Sequence, residues 1–111
     1  MGTFIKICGI TNLEDAESAV ALGADALGFI FADSPRRIGP KKAKEIIAKI
    51  KGKALAMGVF VNEPATKVEE TAEYCGLDVV QLHGDETPAY CANIKVDRII
   101  KAFRIKDAAS L

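Results

Sequence analysis

Five short runs of apolar residues alternate with segments that carry helix start and stop signals. The runs are near-continuously apolar, which is typical of parallel strands covered on both faces. They predict strands over Phe4 to Cys8, Ala26 to Phe31, Leu55 to Val61, Val79 to His83 and Ile99 to Phe103. The resulting order, β-α-β-α-β-α-β-α-β, predicts an α/β fold with a parallel sheet and right-handed crossovers.

The helix boundaries are predicted from capping residues and glycines. A threonine with a glutamate three residues later forms a capping box, and glycine commonly follows the last turn of a helix. Proline suits the first helical position. These signals are Thr11, Glu14 and Gly23 for the first helix, Pro40 and Gly52 for the second, Thr66, Glu69 and Gly76 for the third, and Thr87 with Pro88 for a short fourth.

Two segments of the chain resemble each other. "GADALGFIF" (23–31) and "GLDVVQLHG" (76–84) share a helix-ending glycine, an aspartate two residues later and a buried strand. A repeat of paired βα units indicates a barrel built from similar quarters. The alternative is that Gly-x-Asp before a strand is common loop chemistry.

The last residues read as the beginning of a further helix. In "RIKDAASL" Asp107 suits an N-cap position, and the sequence ends about one turn later. A complete (β/α)₈ barrel needs ~200 to 250 residues. We therefore expect residues 1–111 to form a single partial domain of four βα units, a fifth strand and the start of a fifth helix.

Composition and charge narrow the class of protein. The 111 residues carry 15 basic and 15 acidic side chains, which argues against nucleic-acid binding. No apolar run approaches the ~20 residues of a membrane span, and no secretory signal is apparent. The three cysteines, Cys8, Cys75 and Cys91, are widely spaced and form no metal-type pair. We expect a cytoplasmic protein with reduced thiols, no nucleic-acid partner and no membrane.

Polar groups stand at the predicted carboxyl ends of the strands, where parallel α/β folds bind ligands. They include a thiol beside a glycine, two arginines and the single histidine, at Cys8, Gly9, Arg36, Arg37, Gln81 and His83. A glycine after the thiol allows close approach of a ligand, and a guanidinium favours a carboxylate or phosphate. No P-loop or dinucleotide fingerprint is present, but a phosphorylated small molecule is compatible with this set.

Each of these residues also has a purely structural interpretation. A cysteine in an apolar strand is usually a small core residue. The SPRR turn is explained equally well as a solvated loop fixed by proline. His83 would have only a structural role, with its hydrogen bonds satisfied inside the protein. Cys75 and Cys91 fall on helical segments, where a structural role is expected.

Taken together, the motifs resemble one enzyme family. "KICGIT", "GADALGFIF", "SPR", "GVFVN", "VVQLHGDE" and "IIKAF" occur in the order and approximate spacing found in phosphoribosylanthranilate isomerase of tryptophan biosynthesis. The resemblance implies a (β/α)₈ TIM barrel, here an incomplete one of five parallel strands and four complete helices. It also implies an Amadori rearrangement of N-(5-phosphoribosyl)anthranilate to 1-(2-carboxyphenylamino)-1-deoxyribulose 5-phosphate, with no cofactor and no metal.

The resemblance assigns roles to individual residues. Cys8 matches the general base that takes the proton from sugar C2, and Arg36 matches the arginine near the anthranilate carboxylate. Arg37 is an alternative to Arg36, because this loop varies in length. Gln81 and His83 match the rim of the fourth strand and line the substrate site, while Gly9 allows close approach beside the thiol. The exact roles of Gln81 and His83 stay open.

The 111 residues do not contain every part of the family's site. The family's general acid is an aspartate after strand six, and its phosphate loops follow strands seven and eight. We therefore expect this polypeptide alone to be inactive. We also expect it to self-associate or to pair with the missing half, because one sheet face and two strand edges would be uncovered. The alternative is a short flavodoxin-like module that binds an anion without catalysis.

Overall fold

The computed structural model of the protein describes residues 4–82 and 99–101. The described elements are β1 (Lys6–Cys8), α1 (Leu13–Ala21), β2 (Ala26–Ile30), α2 (Pro40–Ile50), β3 (Leu55–Phe60), α3 (Ala65–Cys75), β4 (Val79–Leu82) and β5 (Ile99–Lys101). All five strands are parallel. The predicted α/β fold with a parallel sheet is confirmed, and four of the five predicted strands begin at the predicted residue.

The strands lie side by side in chain order, β1-β2-β3-β4-β5. Every crossover therefore connects immediate neighbours, as in a barrel. A flavodoxin-like sheet is doubly wound, with its strands in the order 2-1-3-4-5 and helices on both faces. The flavodoxin-like alternative does not fit this strand order.

The three described helices all pack on the same face of the sheet. Leu27 and Phe29 of β2 and Phe60 of β3 point to the helices and are almost fully buried, at 0 to 1% exposure. The apolar stripe of α2 contributes Ile46 and Ile50 to the same core. A singly wound sheet with its helices on one side is the arrangement of a (β/α)₈ barrel wall.

The opposite face of the sheet, here called the inner face, carries the alternate residues of each strand. Those residues are Lys6, Cys8, Ala26, Gly28, Ile30, Leu55, Met57, Val59, Val79 and Gln81. Ala26, Met57 and Val79 form a second, smaller cluster with Leu55. These three side chains are at most 4% exposed, so the expectation of an uncovered face is wrong for this part of the sheet.

The two resembling segments make the same hydrogen bonds. Asp25 donates its backbone N–H to the carbonyl of Ile5 and accepts the N–H of Ile5 on its carboxylate, both at 2.8 Å. Asp78 makes the identical pair of 2.8 Å bonds with Ala56. In both copies the aspartate ties the start of its own strand to that of the preceding strand. The resemblance therefore has a structural basis in the βα repeat.

Both predicted capping boxes are wrong. The N-cap of α1 is Asn12, whose side-chain oxygen accepts the N–H of Asp15 at 2.7 Å, so the cap lies one residue after Thr11. The physical reason is that asparagine is the stronger N-cap residue. In α3 the cap position is Pro64, and Thr66 lies inside the helix. The fixed φ of proline starts this helix before the threonine is reached.

The other helix boundaries agree with the sequence. Pro40 is the first residue of α2, and Gly76 ends α3 in the left-handed conformation, with φ of 79°. The described residues hold three helices rather than four; the fourth, predicted from Thr87 and Pro88, and the start of a fifth near Asp107 lie outside them. None of the described helices has the length and apolar character of a membrane span.

Candidate active site

Cys8 is the last residue of β1, at the edge of the sheet where the strands end, here called the rim. Its side chain is exposed and lies on the inner face, opposite Gly28 of β2. A Cβ atom at position 28 would lie 2.7 Å from the Cys8 Sγ atom. The sulfur therefore occupies the space that a side chain on β2 would take, and it is not enclosed in the helix-side core.

Gly9 turns the chain immediately after the thiol. Its φ of +90° lies in the region that favours glycine, and its N–H donates to the carbonyl of Gly28 at 3.0 Å. A Cβ atom at position 9 would lie 2.7 Å from Cδ of Arg36 and 3.1 Å from its Nη1. The Arg36 side chain therefore lies against Gly9, in the loop between β1 and α1.

The SPRR turn is held by local hydrogen bonds. Ser34 accepts the N–H of Arg36 on its hydroxyl at 3.2 Å and the N–H of Arg37 on its carbonyl at 3.0 Å. Ile38 then donates its N–H to the carbonyl of Ile30 at 2.9 Å, which returns the loop to the end of β2. This closed turn gives the two consecutive arginines different positions.

Arg36 and Arg37 line separate cavities. Arg36 shares an open cleft of about 390 Å³ with Cys8, Gly9 and Thr11, beside the exposed edge of β1. Arg37 lines a smaller cavity of about 140 Å³ with Pro40 and other residues of the second and third βα units. Of the two arginines that the sequence left as alternatives, Arg36 is the one beside the thiol.

Gln81 lies on β4, half-buried on the inner face. Its side-chain oxygen accepts a hydrogen bond from the Nζ atom of Lys6, which is also half-buried on that face. Lys6 was not identified as a site residue from the sequence. The available signal was its position two residues before Cys8 in an apolar strand, which places both side chains on one face.

Gly28 was also missed. A glycine inside a predicted buried strand often marks a close approach of another group, and here that group is the thiol. His83, the remaining predicted site residue, lies outside the described residues. Within the described ranges, no group of three or more His, Cys, Asp or Glu side chains could hold a metal ion.

Cys75 is a second thiol of different character. It is 3% exposed at the end of α3, and its Sγ donates to the carbonyl of Pro40 at 3.3 Å. Burial raises the pKa of the Cys75 thiol, an effect that the nearby Lys44 ammonium partly offsets. The raised pKa keeps this thiol protonated, in agreement with the structural role predicted for it.

Comparison with known proteins decides the family. The family model described as N-(5'phosphoribosyl)anthranilate (PRA) isomerase matches residues 5–110, nearly the whole chain. The chain belongs to this family. The resemblance inferred from the sequence motifs is therefore confirmed, and with it the membership of an isomerase family.

A curated phosphoribosylanthranilate isomerase from Pelobacter propionicus is 54% identical over 108 residues, covering 96% of this chain and 51% of the relative. The isomerase from Geobacter metallireducens is 55% identical over 108 residues, covering 96% of this chain and 53% of its own length. The chain therefore spans about half the length of these curated relatives.

Solved phosphoribosylanthranilate isomerases have the same fold over the shared region. The crystal structure from Thermotoga maritima superposes with a TM-score of 0.87 at 44% identity, covering 90% of this chain and 50% of that one. A second isomerase structure, in complex with reduced 1-(o-carboxyphenylamino)-1-deoxyribulose 5-phosphate, gives a TM-score of 0.89 at 40% identity, covering 98% of this chain and 59% of that chain.

Proposed function

We propose that this chain supplies the base and the carboxylate-binding part of a phosphoribosylanthranilate isomerase site. The single partial domain, residues 1–111, forms about half of a (β/α)₈ barrel: four βα units, the fifth strand and the start of the fifth helix. The reaction belongs to tryptophan biosynthesis and takes place in the cytoplasm. The observation that carries the proposal is the convergence of Cys8 and Arg36 on Gly9 at one rim, in a member of this family.

Cys8 acts as the general base in this proposal. The opened substrate is a protonated Schiff base, whose positive nitrogen makes the hydrogen on sugar C2 acidic. The Cys8 sulfur, as the thiolate, takes that proton and becomes a thiol, the C2–H electron pair forms a C1=C2 double bond, and the C=N electron pair moves to nitrogen. The product is an enolamine, which tautomerises to the ketone. The exposed position of the thiol supports this role, because the base must reach a carbon of the substrate.

Arg36 binds the anthranilate carboxylate. A guanidinium presents a planar fork of N–H donors that matches a carboxylate in two parallel hydrogen bonds. The position of the Arg36 side chain over Gly9 sets this fork next to Cys8. Gly9 lets the ligand approach the backbone there, and Gln81 and His83 are the further substrate-binding residues of this proposal.

The experiment uses a chimera, in which residues 1–111 are followed by the part of the Pelobacter propionicus relative that lies beyond the matched region. We expect the chimera to isomerise N-(5-phosphoribosyl)anthranilate and the 111-residue polypeptide alone to show no turnover. The reason is that the family's acid and phosphate loops come from the added part, and loss of general acid catalysis alone costs ~10²- to 10⁴-fold.

The control for the chimera is the intact relative, assayed in parallel. A folded chimera without turnover, beside an active relative, would contradict the proposed function. Turnover by the 111-residue polypeptide alone would contradict the proposed division of the site.

A further inference from the structure

Lys6 reaches across the inner face of the sheet. It lies on β1, two residues before Cys8, yet its ammonium donates to the side-chain oxygen of Gln81 on β4. Two strands separate β1 from β4 in the sheet. The contact is therefore a tertiary one across the interior of the half-barrel, not a contact between neighbouring strands.

The strand register places the two ends of this contact at different levels of the sheet. Lys6 is level with Ala26 and Leu55, whereas Gln81 is level with Val59, farther along the strands towards the rim. The two inner-face residues of β2 next to β1 are Ala26 and Gly28, which are small. Their size leaves room beside Lys6 for its four-carbon stem to lie along the inner face.

The chemistry of the pair fixes the orientation of the glutamine amide. An ammonium group only donates hydrogen bonds, so the atom of Gln81 that faces Lys6 must be Oε1. The Nε2 group then points away from Lys6 and keeps two N–H donors for other partners. Without the lysine, the amide would be free to rotate by 180° and to present its oxygen instead.

We propose that Lys6 is a positioning residue, which holds Oε1 of Gln81 so that Nε2 donates to an oxygen of the ligand bound beside Cys8. This inference rests on the proposed function, because the ligand is the phosphorylated aminosugar of that reaction. Lys6 acts only through Gln81 and takes no proton from the substrate. The two residues therefore contribute to binding as one unit.

A double-mutant cycle in the chimera tests this unit. The variants are Lys6→Met, Gln81→Leu and the pair together, and the probe is reduced 1-(o-carboxyphenylamino)-1-deoxyribulose 5-phosphate, measured by titration calorimetry. We expect each single variant to raise the Kd about tenfold, as for the loss of one hydrogen bond to a charged or polar ligand. The double variant should also raise the Kd about tenfold, because the loss of Lys6 has no further effect once Gln81 has been replaced.

Two further variants separate positioning from a structural role. Gln81→Glu keeps an oxygen for Lys6 but removes the N–H donors, so we expect a weaker Kd with an unchanged Tm. Lys6→Arg keeps a donor-only cation and should restore the Kd to within about threefold of the unmodified chimera. Lys53→Met is the control for removing a lysine charge, because Lys53 is exposed in the turn after α2.

The outcomes distinguish this inference from the proposed function. A double variant about a hundredfold weaker would show independent contributions and overturn the inference, as would a Lys6→Met variant that lowers Tm and leaves the Kd unchanged. Either result in a chimera that turns over substrate leaves the proposed function standing. An unmodified chimera that neither turns over substrate nor binds the probe overturns the proposed function, and this inference with it.

Discussion

The position of the Cys8 sulfur depends on the absence of a side chain at residue 28. A β-carbon there would come within 2.7 Å of Sγ and 3.1 Å of the Cys8 Cα atom, so part of β1 would have to move. Backbone atoms yield less readily than the end of a flexible side chain. Gly28 is therefore part of the site although it contributes no functional group.

We expect Gly28→Ala to lower kcat/KM of the chimera by about 10²-fold, because a displacement of a reacting group of about 1 Å has effects of that size. Gly39→Ala is the matched control, since a β-carbon at position 39 meets nothing within 4 Å. Equal activity of the two variants would show that the thiol does not need the space beside Gly28.

The buried thiol provides a pH test at the same scale. The folded-state pKa of Cys75 is raised above the ~8.5 of an unfolded thiol, so the protonated form is favoured by folding. Its contribution to stability is complete below about pH 8.5 and is lost as the pH rises towards the folded-state pKa, because the unfolded thiol ionises first.

Accordingly, the difference in unfolding free energy between the chimera and its Cys75→Ala variant should shrink between pH 8 and about 9.5. Urea unfolding in the presence of a reductant measures this difference at each pH. A difference that is constant or increases with pH would contradict the raised pKa of Cys75.

At the scale of elements, the first helix shows where the sequence reading failed. The predicted cap was Thr11, but the structure uses Asn12, which also donates its side-chain amide to the Asp15 carboxylate at 3.0 Å. Asn12 and Asp15 have the same spacing as Thr11 and Glu14, but the threonine–glutamate pattern selected only the earlier pair. Only the backbone geometry at the loop distinguishes them.

Asn12→Ala should therefore lower the unfolding free energy by about 1 kcal/mol, the usual cost of losing an N-cap. Thr11→Ala should change it by less than about 0.5 kcal/mol, as for an ordinary substitution outside the core. Urea unfolding of both variants in the chimera gives the comparison. A larger loss for the Thr11 variant would restore the sequence-based assignment.

Strand positions were predictable because apolar runs mark buried strands directly. Helix ends were predictable because glycine is the residue that best adopts the positive φ found there. The family resemblance favoured Arg36 over Arg37, but the residues alone did not decide between them, since their positions depend on the turn that Ser34 closes. Lys6 and Gly28 were missed for a related reason. Their importance follows from the register of β1 against β2 and from a contact with β4, neither of which is visible along the chain.

At the scale of the whole molecule, β1 is an edge strand of the described sheet. Phe4 and Ile5, which lead into it, are 61% and 43% exposed. An uncovered edge beside exposed apolar side chains favours association with another chain. This edge, rather than the buried cluster of the inner face, is the surface from which we expect self-association of the 111-residue polypeptide.

We expect the polypeptide alone to associate with increasing concentration in size-exclusion chromatography with light scattering, and Phe4→Ser to reduce that association. Tyr74→Ser is the control, because Tyr74 is a large side chain on α3 with similar exposure, 47%. Unmodified polypeptide that stays monomeric at high concentration would contradict the role of this edge.

In the proposed mechanism the Cys8 sulfur removes the C2 proton. The most direct test is Cys8→Ala in the chimera, with turnover of N-(5-phosphoribosyl)anthranilate and the Kd of the reduced ligand measured on the same preparation. We expect kcat to fall at least ~10²-fold, the usual contribution of a general base, and the Kd to stay within about threefold of the unmodified chimera. A variant that retains more than about half of the turnover would contradict it.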